Sequence, residues 1–400
     1  MTIKKIWETK KTKLNEDIEK YTIDSDYIID NYFIPYDIKG SIAHAKMLEK
    51  IKILKKYELI QIEETLKELT EKYDRGEFKV FNEEDCHSAI ENYLVKKLGV
   101  LGKKIHTARS RNDQIMCALK LFMKDKLKQI IELCYFYSLH LQNFNKKYGK
   151  IKIIGYTHTR RAMPSTIGLW IQSFIESNED NIKFLENVYE ILDSNPLGTG
   201  AGYGLPIYVD RELTTKELAF SRIQENPVYV QNSRGKNEAM FIYALLNVML
   251  DLNKLATDII LFSTDEFGIF ELGEEITTGS SIMPNKRNPD VLEIMRAKSK
   301  EVESNLFKVL NIYQNLPSGY NRDMQLTKKT IVESYEITKD SLKIIKIVLE
   351  NTNVNEKRCN ELMKDKNIKA TEKVYKLVKK GIPFREAYKN VKRKLFKDNT

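Results

Sequence analysis

Residues 236–263 read KNEAMFIYALLNVMLDLNKLATDIILFS. Over the first half, Met240, Phe241, Ile242, Tyr243, Leu245, Leu246, Val248 and Met249 put apolar groups on almost every side of a 3.6-residue repeat. A helix that faces water needs only one apolar stripe, so a segment apolar all round predicts a helix buried on all sides. Asn247, Asp251, Asn253, Lys254 and Asp258 interrupt the run, which reads as too polar to cross a bilayer. Four more segments, 114–148, 165–194, 290–314 and 326–351, carry helix formers with almost no Gly or Pro. Each of the five predicts a helix about 40–50 Å long, against a usual length of about 12 residues. Helices of that length predict an all-α central bundle. One five-helix bundle offers few fully enclosed positions, so bundles are expected to pack together into an oligomer. The plainer reading is a core helix of a monomer.

On either side of this core the helices shorten. Residues 1–110 read as shorter helices, including 41–69, with a turn at Asp74–Gly76. Residues 111–351 form the long-helix bundle. Residues 352–400 read as a small helical domain broken at Lys380-Gly-Ile-Pro383. Pro164 and Pro289 stand where a first-turn proline belongs, with Asn288 as N-cap of the second helix.

The chain is 42% hydrophobic and 30% charged, which fits an ordered soluble protein rather than a disordered one. Its net charge of +10 comes mostly from Lys residues distributed along the chain beside 56 acidic ones, so no nucleic-acid partner is expected. Cys86, Cys117, Cys134 and Cys359 form no C-x-x-C pair, so neither a disulfide framework nor a metal site is expected. Lys4 and Lys5 are not followed by the apolar run of a signal peptide. A cytoplasmic, membrane-free protein is the expectation.

Chemistry is concentrated in the loops between long helices. The stretch 277–290, TTGSSIMPNKRNPD, combines Gly279 and two serines with Lys286 and the amides that open the next helix. A serine hydroxyl can act as a base only where cations and N–H dipoles stabilise its alkoxide, and this loop supplies both. By itself Gly-Ser-Ser would read as a polar linker. The full pattern Gly-Ser-Ser-x-Met-Pro-x-Lys-x-Asn-Pro resembles the signature of the aspartase/fumarase superfamily, whose members eliminate fumarate from a succinyl group.

Three further loops sharpen the resemblance. His106-Thr-Ala-Arg-Ser-Arg-Asn-Asp-Gln114 is similar to the His-Thr-Gly-Arg-Ser-Arg-Asn-Asp-Gln stretch of argininosuccinate lyases, with Ala108 where Gly is usual. Its Arg109, Ser110, Arg111 and Asn112 offer donors for carboxylates. Gly155-Tyr-Thr-His-Thr-Arg-Arg-Ala-Met-Pro164 resembles that family's Gly-Tyr-Thr-His-Leu-Gln-Arg-Ala-Gln-Pro, departing at Thr159, Arg160 and Met163. Tyr320-Asn-Arg-Asp-Met-Gln-Leu-Thr-Lys328 resembles its Tyr-Asn-Arg-Asp-Leu-Gln-x-x-Lys. Similarity also runs through 37–48, 84–91, 195–198 and 381–387. Two departures stand out: the early substrate-binding serine has no clear match near Ser25 and Asp26, and 226–235 lacks the usual Ser-Asp-Arg-Asp.

The resemblance implies a cofactor-free β-elimination of argininosuccinate to arginine and fumarate by a homotetramer, within arginine biosynthesis. Ser281 is implied as base, with His158 handling a proton alongside Glu293. The implied substrate contacts are Asp85, Arg109, Ser110, Arg111, Asn112, Thr157, Lys286, Asn288, Tyr320, Arg322, Gln325 and Lys328. The alternatives are another fumarate-releasing lyase of the superfamily, such as adenylosuccinate lyase, and a non-enzymatic crystallin-like relative. Loops joined to successive antiparallel helices cannot all meet at one end of one subunit, so the sites are expected to be shared between copies.

Overall fold

A computed structural model describes residues 15–23, 26–81 and 83–397. Lys4, Lys5 and Ser25 lie outside these residues. Short helices come first: α1 (Glu16–Ile23), α2 (Asp26–Asp30), α3 (Ile34–Lys50), α4 (Lys56–Asp74), α5 (Cys86–Leu98) and α6 (Val100–Lys104). Then come α7 (Arg111–Tyr148), β1 (Lys152–Thr157), β2 (Arg160–Thr166), α8 (Ile167–Leu192), β3 (Ser194–Asn195), α9 (Arg211–Glu217), β4 (Arg222–Ile223) and α10 (Pro227–Asn232). They are followed by α11 (Lys236–Phe262), β5 (Phe270–Leu272), β6 (Thr278–Gly279), β7 (Arg287–Asn288), α12 (Asp290–Tyr313) and α13 (Thr327–Glu350). The chain ends in β8 (Thr352–Val354), α14 (Glu356–Leu362), α15 (Ala370–Val378) and α16 (Phe384–Lys397). The five long helices are α7, α8, α11, α12 and α13, so the mainly helical fold has the elements expected of it.

Several local expectations need correcting. The helix foreseen over 41–69 is two, α3 and α4, because the chain turns at Ile51–Lys55 with Lys52 at a φ of 68°. Pro164 does not open a helix. It lies in β2 opposite Ile154, where a two-stranded sheet leaves an edge that can lack an N–H. Asn288 is not the cap of α12 either. It pairs with Thr278 in the β6–β7 hairpin, and the Pro289 carbonyl accepts from Leu292 and Glu293 to start the helix.

The chain divides into two compact units. Among the described residues, the first comprises those within 1–131, 183–246 and 301–338, and the second those within 132–182, 247–300 and 339–400. In the first, Phe122 sits at the centre of an aromatic cluster, 5.1 Å from Phe33, 5.6 Å from Tyr36 and 6.2 Å from Tyr335. In the second, Trp170 packs 5.3 Å from Phe270 and 5.5 Å from Phe174, and its indole N–H donates to Asp258. That bond lets a large apolar ring be buried without leaving its polar edge unpaired. α11 is long and apolar enough to cross a membrane by length and composition alone, but 61% of its most apolar stretch is buried inside the fold. Tyr243, Leu250 and Leu261 remain exposed, so it is not enclosed on all sides within one chain.

Candidate active site

The residues singled out in the sequence fall into two groups, one in each unit. The first is built around the start of α7. Ser110 and Asp113 both cap this end: the Ser110 hydroxyl accepts from the Asn112 N–H at 3.3 Å, and the Asp113 carboxylate accepts from the Ser110 N–H at 3.0 Å. The other Asp113 oxygen accepts from the backbone of Gly198 and Gly200, tying in the Asn195–Gly198 stretch. Burial pushes the Asp113 carboxyl up to about 6, against the N–H groups that favour its charge. Ala108 turns the chain into this cap at a φ of 58°, the left-handed region that favours glycine.

Around that turn lies a buried charge network. Arg109 donates to Ser41 at 2.8 Å, and Arg111 donates to Asp85 at 2.9 Å. Asp85 also caps α5 through the Ser88 N–H. Burial opposes its ionisation, yet His87, Arg111, the Ser88 N–H and Lys328 together hold it below the usual carboxylate range. Asp37 behaves likewise: burial is outweighed by His87, Arg109 and Gln114. Lys328, nearly fully buried, donates to Asp30 at 2.5 Å. Gln325 and Arg322 turn towards the Thr22 carbonyl, and Arg322 also reaches Glu84 at 3.4 Å. The Tyr320 ring lies under the Arg234 guanidinium, 5.5 Å from its centroid. Asp85, Arg109, Ser110, Arg111, Asn112, Arg322, Gln325 and Lys328 thus share one neighbourhood. Asp30 and Glu84 join it without having been singled out in the sequence. Asp30 signals only its acidity and Glu84 only its place in the 84–91 stretch, since their partners lie 298 and 238 residues further along the chain.

Asp37, Cys86 and His87 also meet here, with one potential ligand atom each, all within 4.8 Å of one another. The spacing of these residue types in the sequence suggests no such cluster. Both Asp37 oxygens accept from Gln114, at 2.8 and 3.1 Å.

The second group stands on two hairpins. Thr157 and Arg160 pair as the last rungs of β1 and β2, leaving His158 and Thr159 as a two-residue turn. Their φ values of 52° and 55° define the primed turn that Asn-Gly usually occupies. His158 is therefore held exposed at a strained tip, and Thr159 donates to the His158 carbonyl at 2.6 Å. In the other hairpin, Thr278 pairs with Asn288 and Gly279 with Arg287, closing the loop 280–286. Ser280 accepts from the Ile282 and Met283 N–H groups, and Thr278 donates to Asp290. Ser281, Lys286 and Glu293 are exposed, and Asn288 is half-buried. Among the described residues, no hydrogen bond joins Ser281, His158 and Glu293 to one another.

The exposed serine on a short hairpin, the histidine at a tight turn and the arginine-rich cap are each suited to carboxylate-bearing substrates. Residues 13–303 match the family described as Lyase, and the chain is a lyase of the aspartase/fumarase superfamily. An argininosuccinate lyase of Thermotoga neapolitana is 49% identical over 391 residues, covering 98% of both chains. One from Bacteroides fragilis is 40% identical over 97% of this chain and 86% of its own. The chain belongs to the argininosuccinate lyase family. The fold agrees: an EDDS lyase in complex with formate superposes with a TM-score of 0.80 at 24% identity, over 96% of this chain and 77% of that one.

Proposed function

We propose that this protein cleaves argininosuccinate to arginine and fumarate, as a step in arginine biosynthesis. The observation that carries the reading is the 49% identity to an argininosuccinate lyase along nearly the whole chain. The cap at Ser110–Asp113, which presents Arg109, Arg111 and Asn112, supports it. In the proposed reaction Ser281 removes the proton from the succinyl carbon beside a carboxylate. The electron pair moves into that carboxylate, giving a dianion that Lys286 and Asn288 stabilise. Collapse of the dianion expels the guanidino nitrogen, which leaves with a proton handled by His158 and Glu293. Acid–base assistance of this kind contributes about 10²–10⁴-fold, and stabilisation of the dianion adds to it. Thr157, Tyr320, Arg322, Gln325 and Lys328, with Asp85, hold the rest of the substrate.

The same reading includes a homotetramer with sites assembled from several copies. Tyr135, Phe136, Leu139, Leu169, Phe307 and Ile347 are exposed apolar residues on the long helices, which supports burial against further copies. Arg111 opens α7 and Tyr148 closes it, and 38 residues at 1.5 Å each span about 57 Å, which supports sharing. A cytoplasmic location is supported by four buried, unpaired cysteines. Incubation with argininosuccinate and, separately, with adenylosuccinate, followed by fumarate absorbance, tests the assignment. Fumarate release from argininosuccinate is expected; release from adenylosuccinate alone would move the protein to the sister activity.

A further inference from the structure

In the first unit, a cavity of about 300 Å³ lies between the end of α10, the end of α12 and the loop at 314–321. Tyr313, Leu316, Pro317 and Met324 give it apolar walls, and Gln231 and Arg234 add polar side chains. Those two are only 3% and 2% exposed. Even so, both amide atoms of Gln231 and the Nε and Nη1 of Arg234 have no hydrogen-bond partner. Arg234 uses Nη2 on the Met324 carbonyl at 2.9 Å and stacks on Tyr320. Its nearest carboxylate, Glu238, is 3.8 Å from Nε and is turned to the Gly235 N–H at 2.6 Å and the Thr327 hydroxyl at 3.3 Å. Buried polar groups are almost always paired, so unmatched donors and an acceptor on two neighbouring residues of one cavity point to a partner from outside.

The walls are set close by Gly235, at a φ of 79°. A Cβ there would stand 2.6 Å from the Met324 methyl and 2.7 Å from the Tyr313 ring. By contrast, Asn232 is already matched, donating to Ser318 and accepting from the Gly319 N–H. The unmet demand is thus three guanidinium N–H groups, on Nε and Nη1 of Arg234, with the two N–H groups and the oxygen of the Gln231 amide.

We propose that this cavity binds a small carboxylate carrying a hydrogen-bond donor next to its carboxyl group, the chemistry of an α-hydroxy or α-amino acid. The carboxylate accepts from Arg234 and from the Gln231 amide N–H, hydrogen bonds that the guanidinium's ion pair with Glu238 leaves open. The adjacent hydroxyl or ammonium donates to Gln231 Oε1, and a short side chain meets Tyr313 and Met324. Calorimetric titration of the full-length protein with L-lactate, L-alanine and acetate tests this. Lactate or alanine should bind saturably with a Kd near or below about 1 mM, and acetate at least about 5-fold more weakly. Gln231→Leu should weaken binding about 10-fold or more while leaving the empty protein folded, because the amide it removes has no partner to lose. Gln231→Glu supplies an internal carboxylate to Arg234, and should abolish binding and raise Tm. Absence of binding by both lactate and alanine would mean that the cavity holds water alone. Binding unchanged in Gln231→Leu would put the ligand elsewhere. Either result overturns the proposal.

Discussion

Replacing Thr159 with glycine isolates the strain at the tip of the β1–β2 hairpin. Both turn residues sit at φ values near 55°, and Thr159 is β-branched, the side-chain type least suited to that region. Holding an L-residue there costs about 1–2 kcal/mol. Glycine removes that cost but gives up about 0.5–1 kcal/mol of backbone entropy on ordering. It also loses the Thr159 hydroxyl bond to the His158 carbonyl, an exposed bond contributing about 0.5 kcal/mol. The balance for Thr159→Gly runs from about 0.5 kcal/mol less stable to about 1 kcal/mol more stable, at most roughly 5-fold in the hairpin's opening equilibrium. Thr159→Val keeps the strain, loses the hydroxyl bond and should open more readily. Hydrogen exchange at the paired Thr157 and Arg160 amides reads this directly, because local opening is what exposes them. Valine should lower their protection, and glycine should hold it at or above the valine level. If glycine lowered protection below the valine variant, or valine matched wild type, backbone strain at this turn would not be what sets its stability.

Ser281→Ala should lower turnover of argininosuccinate at least about 10²-fold with the fold intact, and near-normal steady-state rates would remove Ser281 as the base. Mixing inactive His158→Asn and Ser281→Ala proteins under conditions of subunit exchange should restore up to about a quarter of wild-type activity, if sites draw on different copies. Recovery of nothing from verified mixed oligomers would place both residues in one copy. Lys120 is buried against Ser194 and Gln224, and burial together with Arg222 lowers its ammonium to about 7. Between pH 7 and its ordinary value of 10.5 the unfolded chain holds a proton that the folded chain has lost, so this group makes stability rise with pH across that window. Urea midpoints of wild type relative to Lys120→Met should therefore climb from about pH 7 to about 9.5, and a flat difference would mean Lys120 titrates normally.

The long helices were legible because propensity and periodicity accumulate over many residues: α13, expected over 326–351, spans Thr327–Glu350. The hairpins were not, for reasons of scale and chemistry. β6 and β7 are two residues each, too short for alternation to register, and His158-Thr159 lacks the Asn-Gly signature of the turn it makes. Arg109, Ser110, Arg111 and Asn112 were found because they sit together in sequence at one capped helix start, and Arg322, Gln325 and Lys328 because they fall within one nine-residue motif. Asp30 and Glu84 were not found, because an ion pair is defined by its partner. The partners of those two, Lys328 and Arg322, are brought to them only by the fold.

Ala108 shows how a departure read from sequence takes on physical content. In the sequence it is an alanine where the family stretch usually has glycine. In the fold it is the residue that enters the left-handed region immediately before Arg109, at a φ of 58°. The strain there is about 1–2 kcal/mol, and it must be held by the residues next to it in the chain. Those residues form the cap: Asp113 accepts from the Ser110 N–H, the Ser110 hydroxyl accepts from the Asn112 N–H, and Asp113 is anchored again by Gly198 and Gly200. Arg109 is locked onto Ser41 and Arg111 onto Asp85. Attachments at Arg109, Ser110, Arg111 and Asp113 are enough to impose the turn on a residue that does not favour it. The conformation of this loop therefore depends on its charged anchors more than on its turn residue, and the anchors are the same groups that are proposed to meet the substrate.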